Sequence, residues 1–400
     1  MNILFLTHGH VSKTRGGIDR VTDVLANSLM KRGHQVYLIS VCNPLENDML
    51  ETYQYVLPQQ TDKYNQENLD YLSEFLSQNK IDIIINQSER YVILELSRRV
   101  KGNIPLVSVF HTDPLSLIKG LRDGWDYWRM YEKRWKFISL FPYYVLRHGL
   151  RYYLRRKSLI VHHKYFYESS EGIVLLSERF KQPFLKLIGK ERSDKLFSIS
   201  NPLSYEEEDG VKRQNKEKII LFVARLDYSP KRLDRVLKVW KRIKEHDGWR
   251  LIIAGDGSDT EFYKDLARNY QLKDVEFLGR TETRHLYEKA QIICISSTYE
   301  GFPLVLTEAL QHEVIPIAFD SYEAVNDIIT SGKNGFLVKP FKLDRYIDIL
   351  EKLMKDDDLR LQMRHIIQLD ISFWTKFDIN CITDSWEKLL LQLTKEKSKI

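Results

Sequence analysis

The feature that most constrains this chain is a rhythm that occurs twice: short, nearly all-apolar runs alternate with stretches of helical period. In the first half the apolar runs fall at residues 3–6, 35–41, 81–86 and 105–110. A strand that is apolar at almost every position needs cover on both faces, and a parallel sheet flanked by helices supplies it. Between the first two runs, Ile18, Val21, Val24, Leu25 and Leu29 share one face of a predicted helix, which Gly33 closes. Strand, helix and strand in that order make a parallel crossover unit. After Asn201-Pro202 the rhythm restarts, with runs at 218–223, 250–254, 275–278, 292–296, 315–319 and 335–338. The polar stretch 205–217 reads as an exposed connection. The chain is therefore expected to be α/β, with doubly wound domains over 1–201 and 202–370 and terminal helices over 371–400. Open sheets of this kind bind ligands at the carboxyl ends of their strands.

Composition narrows the setting. With 43% hydrophobic and 12% aromatic residues in 400 positions, there is enough apolar material for two cores. Cys42, Cys294 and Cys381 are odd in number and show no zinc-binding spacing, which points to a reducing compartment. The start of the chain lacks a basic leader and enters a strand at once, unlike a signal peptide. An apolar run at 138–146 contains Pro142 and stops at Arg147, short of the roughly 20 residues a spanning helix needs. A soluble or peripheral protein is expected.

Chemistry concentrates at residues 296–310, Ser-Ser-Thr-Tyr-Glu-Gly-Phe-Pro-Leu-Val-Leu-Thr-Glu-Ala-Leu. An apolar strand leads in, and Pro303 is expected at the first helical position, where its missing N–H costs nothing. The amides of Phe302, Leu304 and Val305 then face outward at the positive end of a helix dipole, a site for anions and for phosphate above all. Glu300 precedes the helix and Glu308 lies within it. Carboxylates flanking a phosphate site suit a ligand with hydroxyl-rich groups on both sides of its phosphates. Ribose, diphosphate and hexose in a nucleotide sugar have that layout.

Glu300 and Glu308, with Gly301, Phe302, Pro303, Leu304 and Val305 between them, resemble the Glu-x7-Glu signature of the retaining family 4 glycosyltransferases. The resemblance implies the GT-B fold, two Rossmann-like domains facing across a cleft, with the last helices crossing back to brace the first domain; Trp374 and Trp386 are candidate anchors for that, or plain core residues. A second match runs from Phe222 to Leu233, where Arg225 and Lys231 would stabilise the charge that develops on a departing diphosphate. The family usually has glycine before this Arg and after this Lys. Here Ala224 and Arg232 stand instead, and Arg232 either adds a third charge or is simply exposed. Gly16 and Gly17 occupy the family's first-domain glycine loop, flanked by Lys13 and Arg15, which either reach diphosphate or acceptor or are solvated. His111, in Phe110-His111-Thr112-Asp113, resembles a histidine that contacts the donor sugar, with His8 a lesser candidate. Gly255-Asp256-Gly257 and Gly279-Arg280 would edge the nucleotide pocket, or are ordinary turns. His162-His163 has no third ligand in sight, so no metal and no cofactor is assigned.

The formal charge of +6 is local. Ten Lys/Arg lie between Arg129 and Lys164 against the single acid Glu132, leaving 51 basic and 54 acidic residues elsewhere. Residues 125–167 interleave those charges with Trp128, Tyr131, Trp135, Phe137, Phe141, Tyr143, Tyr144, Tyr152 and Tyr153. Such a mixture suits an anionic membrane surface. It also suits nucleic acid, but nothing else in the chain reads as a nucleic-acid module, and none is assigned. The plain alternative is a helical pair packed on the first domain with a solvated basic face.

The expected function is transfer of a hexose from a nucleotide sugar, with UDP the first choice, to a hydroxyl of a glycan or lipid-linked acceptor, with retention. The family resemblance places this at the cytoplasmic membrane face, in cell-surface polysaccharide or glycolipid assembly. Two alternatives are a nucleotide-sugar epimerase of the same fold and a membrane-associated binding subunit without turnover.

Overall fold

A computed structural model describes residues 1–11, 16–41, 54–59, 62–121, 123, 141–205 and 216–397, with the side chains of 141–145 and 396–397 excepted. Its contacts divide the chain into two compact units: Met1–Pro114, Ser158–Ser204 and Trp374–Ile400 form the first, and Leu115–Lys157 with Tyr205–Phe373 the second. Residues 115–157 thus cluster with the second unit, although the chain order puts them in the first predicted domain.

The first unit holds a seven-stranded sheet: β1 (Asn2–Thr7), β2 (Gln35–Ser40), β3 (Gln54–Val56), β4 (Ile83–Asn86), β5 (Leu106–Phe110), β6 (Gly172–Leu175) and β7 (Leu196–Ser198). Their spatial order is β3-β2-β1-β4-β5-β6-β7, and every adjacent pair is parallel. The register follows from burial: Ile3, Leu4 and Phe5 pair with Ile83, Ile84 and Ile85, all six inaccessible to solvent. β3, β6 and β7 have no counterpart in the sequence expectation. They are three or four residues long.

The helix Gly17–Lys31 buries Val21, Leu25 and Leu29, and Gly33 beyond its end has φ +87°. Ile18, expected on the buried face, is exposed because it lies in the helix's first turn, short of the sheet. Opposite this helix packs the last one, Ile379–Lys397, within the same unit. Ser28 Oγ meets Thr383 Oγ1 at 2.8 Å, Arg32 donates to Glu387 at 2.8 Å, and Trp386 is buried. Trp374 is half-buried.

The second unit holds six strands: β8 (Ile219–Val223), β9 (Arg250–Ala254), β10 (Val275–Gly279), β11 (Ile292–Ile295), β12 (Ile315–Phe319) and β13 (Phe336–Val338). They are parallel in the order β10-β9-β8-β11-β12-β13. β8 and β11 are neighbours although two strands, β9 and β10, separate them in sequence. Order reverses beside β8, so the loops after β8 and β11 emerge side by side at the carboxyl edge, where open sheets bind ligands.

Candidate active site

β8 delivers Ala224–Asp227 into the helical turn Tyr228–Lys231, and β11 delivers Ser296–Gly301 next to it. The two loops are sewn together by backbone-directed bonds. Ser296 Oγ donates to the carbonyls of Lys231 and Arg232 at 2.9 and 2.8 Å, and the Thr298 N–H donates to Pro230 O at 2.9 Å. This brings Lys231 to Glu300, with Nζ donating to Oε1 at 2.6 Å. The Ser297 hydroxyl donates to the same oxygen at 2.6 Å. Arg225 is placed differently: its side chain is 74% exposed and its guanidinium sits against Asp227.

The helix after Glu300 spans Leu304–Gln311, with Pro303 as its N-cap at φ −75°, ψ 98°. Pro303 is thus one position outside the helix and not its first residue. Its extended ψ turns the chain before the helical bonds begin. No side chain caps this end, and the first amides of a helix have no acceptor within it. The N–H groups of Leu304 and Val305 and the dipole behind them are therefore available to an anion. Gly301, Phe302, Pro303 and Leu304 are buried and Val305 partly so, making a firm floor. Glu308, inside the helix, is buried and accepts the Tyr287 hydroxyl at 3.0 Å. Tyr287 is itself buried and stacks on His312, with centroids 5.7 Å apart.

The glycines after β9 are explained by close packing. Gly255 has φ +134°, and a Cβ there would lie 1.8 Å from Ala224 O; a Cβ on Gly257 would lie 2.7 Å from Asp227 Oδ1 and Leu226 C. The loop after β9 thus rests on the loop that carries Arg225. Gly255 N–H donates to Gly279 O at 2.7 Å, drawing in the loop after β10, where Arg280 is exposed.

Arg232 is neither a third cation facing outward nor exposed. Its side chain is 2% accessible and its backbone left-handed, at φ +56°. Nη1 donates to Asp123 Oδ1 at 2.6 Å, Nε donates to Asp234 Oδ1 at 2.9 Å, and the guanidinium lies 4.5 Å from the Tyr228 ring centre. Burial alone would depress its pKa, but Asp234 and Asp123 outweigh burial and hold it above the ordinary arginine value. Burial would raise the Asp234 carboxyl, and the Arg232 guanidinium holds it below its ordinary value instead. Asp123, Asp234, Arg235 and Thr298 were invisible as site residues in the sequence. Their pairing joins positions as far as 175 apart, and no local spacing signals it.

In the first unit, His111 follows β5 and its Nε2 lies 2.5 Å from Gln87 Oε1, at the end of β4. Burial pushes its pKa down to about 4, so the ring is neutral near pH 7. Glu89 accepts the Thr112 N–H at 2.8 Å, and burial raises its carboxyl above the usual range. Gln87 and Glu89 are further polar groups that the sequence reading passed over. A small pocket beside His111 is lined by Leu25, Leu176, Asn201 and Trp386, among others. Gly16 and Gly17 stand exposed at the start of the helix Gly17–Lys31, which no side chain caps. Gly16 is extended at φ 176°, and a Cβ there would meet nothing within 4 Å. Lys13 and Arg15 lie outside the described residues. Burial lowers the His8 pKa, with Arg90 and Lys63 adding to it. His162 and His163 are packed among Phe110, Phe166 and Phe184, His162 bonded to Glu89 O and His163 to Leu159 O, both at 2.9 Å. Their bonds and rings account for their position in the core.

Two family models match this chain: Glycosyltransferase Family 4 over residues 15–204 and Glycosyl transferases group 1 over 204–368. An uncharacterized glycosyltransferase of Haemophilus influenzae is 30% identical over 223 residues, covering 55% of this chain and 61% of that protein. A Campylobacter jejuni protein named as an α-1,4-N-acetyl-D-galactosaminyltransferase acting on an undecaprenol-linked glycan is 26% identical over 257 residues, 63% of this chain and 68% of its own. In three dimensions, Anabaena HepE, solved with UDP and glucose, superposes with a TM-score of 0.71 at 16% identity, covering 98% of this chain and 100% of that one. At that identity the likeness shows the shared fold.

Proposed function

The chain belongs to the group 1 and family 4 glycosyltransferases, and from that premise we propose that it moves a hexose from a nucleotide sugar to a hydroxyl of a glycan or lipid-linked acceptor, with the anomeric configuration retained. The observation that carries the proposal is the Lys231–Glu300 pair at 2.6 Å, directly before a helix start whose first amides are unpartnered. One ligand satisfies all of these groups. Its diphosphate takes Lys231, Arg225 and the amides of Leu304 and Val305; its hexose hydroxyls take Glu300; its ribose takes Glu308. UDP is the first choice of nucleotide, supported by the UDP bound in Anabaena HepE.

Glu300 suits binding better than nucleophilic attack. Its Oε1 already accepts Lys231 and Ser297, which orients the carboxylate and occupies that oxygen. The reaction then runs on one face of the sugar. The bond from the anomeric carbon to the phosphate oxygen breaks, the departing oxygen accepts the acceptor hydroxyl's proton, and the new glycosidic bond forms on that same face. Lys231 and Arg225 stabilise the charge growing on the diphosphate. His111, kept neutral by burial, is carried forward as a hydrogen-bonding group for a sugar hydroxyl. Direct transfer without a metal or cofactor is part of the proposal.

The acceptor is placed at the cytoplasmic face of a membrane. In the helix Phe141–Ser169, Leu146, Leu150, Tyr153, Leu154 and Val161 are exposed at helical spacing, Leu146 by 77%, between Arg147, Arg151, Arg155, Arg156 and Lys157. Each such cation near an anionic surface contributes about 1 kcal/mol. The aromatic residues at 125–140 lie outside the described residues, and no described helix is long and apolar enough to cross a membrane. Binding to phosphatidylglycerol vesicles, weakened by salt and absent on phosphatidylcholine, is the expected result; equal binding to both would remove the electrostatic anchor.

The deciding experiment is a thermal-shift panel with UDP, GDP and ADP, alone and as their hexose conjugates. A ligand that binds only the native state raises the transition temperature. A shift confined to one base, larger with its sugar attached, identifies the donor; no shift with any of them overturns the proposal.

A further inference from the structure

Arg232 stands in the left-handed region, which disfavours any residue with a Cβ, at the position where the resembling family has glycine. Such a residue persists only where its surroundings hold it. Here the hold comes from Asp123, which belongs to residues 115–157 and not to the second half of the chain.

Asp123 is fully buried, and its two oxygens collect four donors. Oδ1 accepts Arg232 Nη1 at 2.6 Å, Thr298 Oγ1 at 2.6 Å and Arg235 Nη2 at 3.4 Å, while Oδ2 accepts Ser229 Oγ at 2.9 Å. The positions of these donors are informative. Ser229 and Arg232 bracket Lys231, and Thr298 lies two residues before Glu300. One carboxylate therefore fixes both loops of the proposed donor site from behind. Gly120 permits the approach: a Cβ there would lie 3.2 Å from the Tyr299 ring, beside Glu300. Lys119 adds an ion pair to Glu323 at 2.8 Å.

The charges require the same partner. Arg232 and Arg235 bring two buried guanidiniums, and Asp234 and Asp123 bring two buried carboxylates. Without Asp123 one cation is left without its compensating charge, and an uncompensated buried charge displaces whatever holds it. The loop bearing Lys231 is what would move.

We propose that Asp123 and Arg232 form a matched positioning pair that holds Lys231 and Glu300 in register, so that Asp123 is a working part of the donor site. Neither residue touches the substrate; both act through the loops. The inference rests on the donor reading given above. It goes further in assigning a function to an arginine that replaces a glycine and to a carboxylate from the other half of the chain.

The test uses the full-length protein and three variants: Asp123→Ala, Arg232→Gly and the double variant. Hydrolysis of UDP-, GDP- and ADP-glucose gives turnover, and calorimetry with UDP, GDP and ADP gives affinity. Asp123→Ala is expected to lower kcat about tenfold or more while nucleotide affinity stays within about threefold, because Glu308 and the helix amides are untouched. The double variant is expected to recover to within about threefold of wild type, since glycine suits the left-handed backbone and no buried charge is left over. If Asp123→Ala does not fold, Asp123→Asn is measured in its place, and the same split between turnover and affinity is expected. A merely structural role would lower the transition temperature and leave the folded fraction's kcat unchanged. That outcome, or a double variant as slow as the single one, overturns the proposal alone. Wild-type protein that neither binds nor hydrolyses any of these nucleotides overturns the donor reading and the pair with it.

Discussion

The carboxyl edges of the two sheets treat polar groups in opposite ways. Behind β8 and β11, charges are kept and matched: Lys231 with Glu300, and Arg232 with Asp123 and Asp234. At the ends of β4 and β5, burial works against charge. Burial pushes His111 down to about 4 and raises the Glu89 carboxyl, and His163 below them is pushed down to about 3. On the proposed reading, a diphosphate carries formal charge and would meet fixed cations that already have carboxylate partners. Hydroxyls carry none, and neutral donors and acceptors serve them without electrostatic cost.

The largest effect expected from this contrast is at Glu300. Glu300→Gln keeps the shape but loses the charge that pairs with Lys231, and turnover of the donor should fall about 10²- to 10³-fold, on the scale of losing one preorganised transition-state contact. Arg225→Ala should also act mainly on kcat, by a smaller factor because that side chain is largely in solvent. Glu308→Ala should instead weaken nucleotide binding, about tenfold or more by calorimetry, leaving kcat at saturation closer to wild type. Unchanged turnover and binding in all three variants would break the comparison at its charged side.

A smaller effect is expected on the neutral side, in stability. Each histidine here has a folded pKa below its unfolded 6.5, so the unfolded chain takes up more protons as pH falls. Their contribution is complete above pH 6.5 and is lost progressively toward pH 4. Glu89, with its raised carboxyl, has the opposite sign and favours the folded state as pH falls through its own range. From the two histidines, the transition temperature should drop by several degrees between pH 7 and pH 5, and by less in His163→Asn. A transition temperature flat across that window would mean these rings are not held neutral.

Much of the fold was legible because the signals are local. Apolar runs marked ten of the thirteen described strands; β3, β6 and β7 were passed over, although β4, β11 and β13 are as short. Local signals also misplace ends. Pro303 was expected inside its helix and caps it, and Ile18, in the first turn of its helix, was expected on a buried face and is exposed. Lys231 and Glu300 were each legible from their motifs, but their contact was not.

What the sequence determined by itself is periodic or contiguous: two parallel sheets flanked by helices, and the run from Glu300 to Glu308 at a helix start. Only the tertiary structure decided which side chains share a site. Asp123 and Arg232 are 109 positions apart, and nothing in Arg-Asp-Gly or Lys-Arg-Leu hints that they meet. The reason is physical. Backbone periodicity is set by neighbours a few residues away, whereas a buried ion pair exists only when two distant segments exclude water together, and that depends on the packed chain.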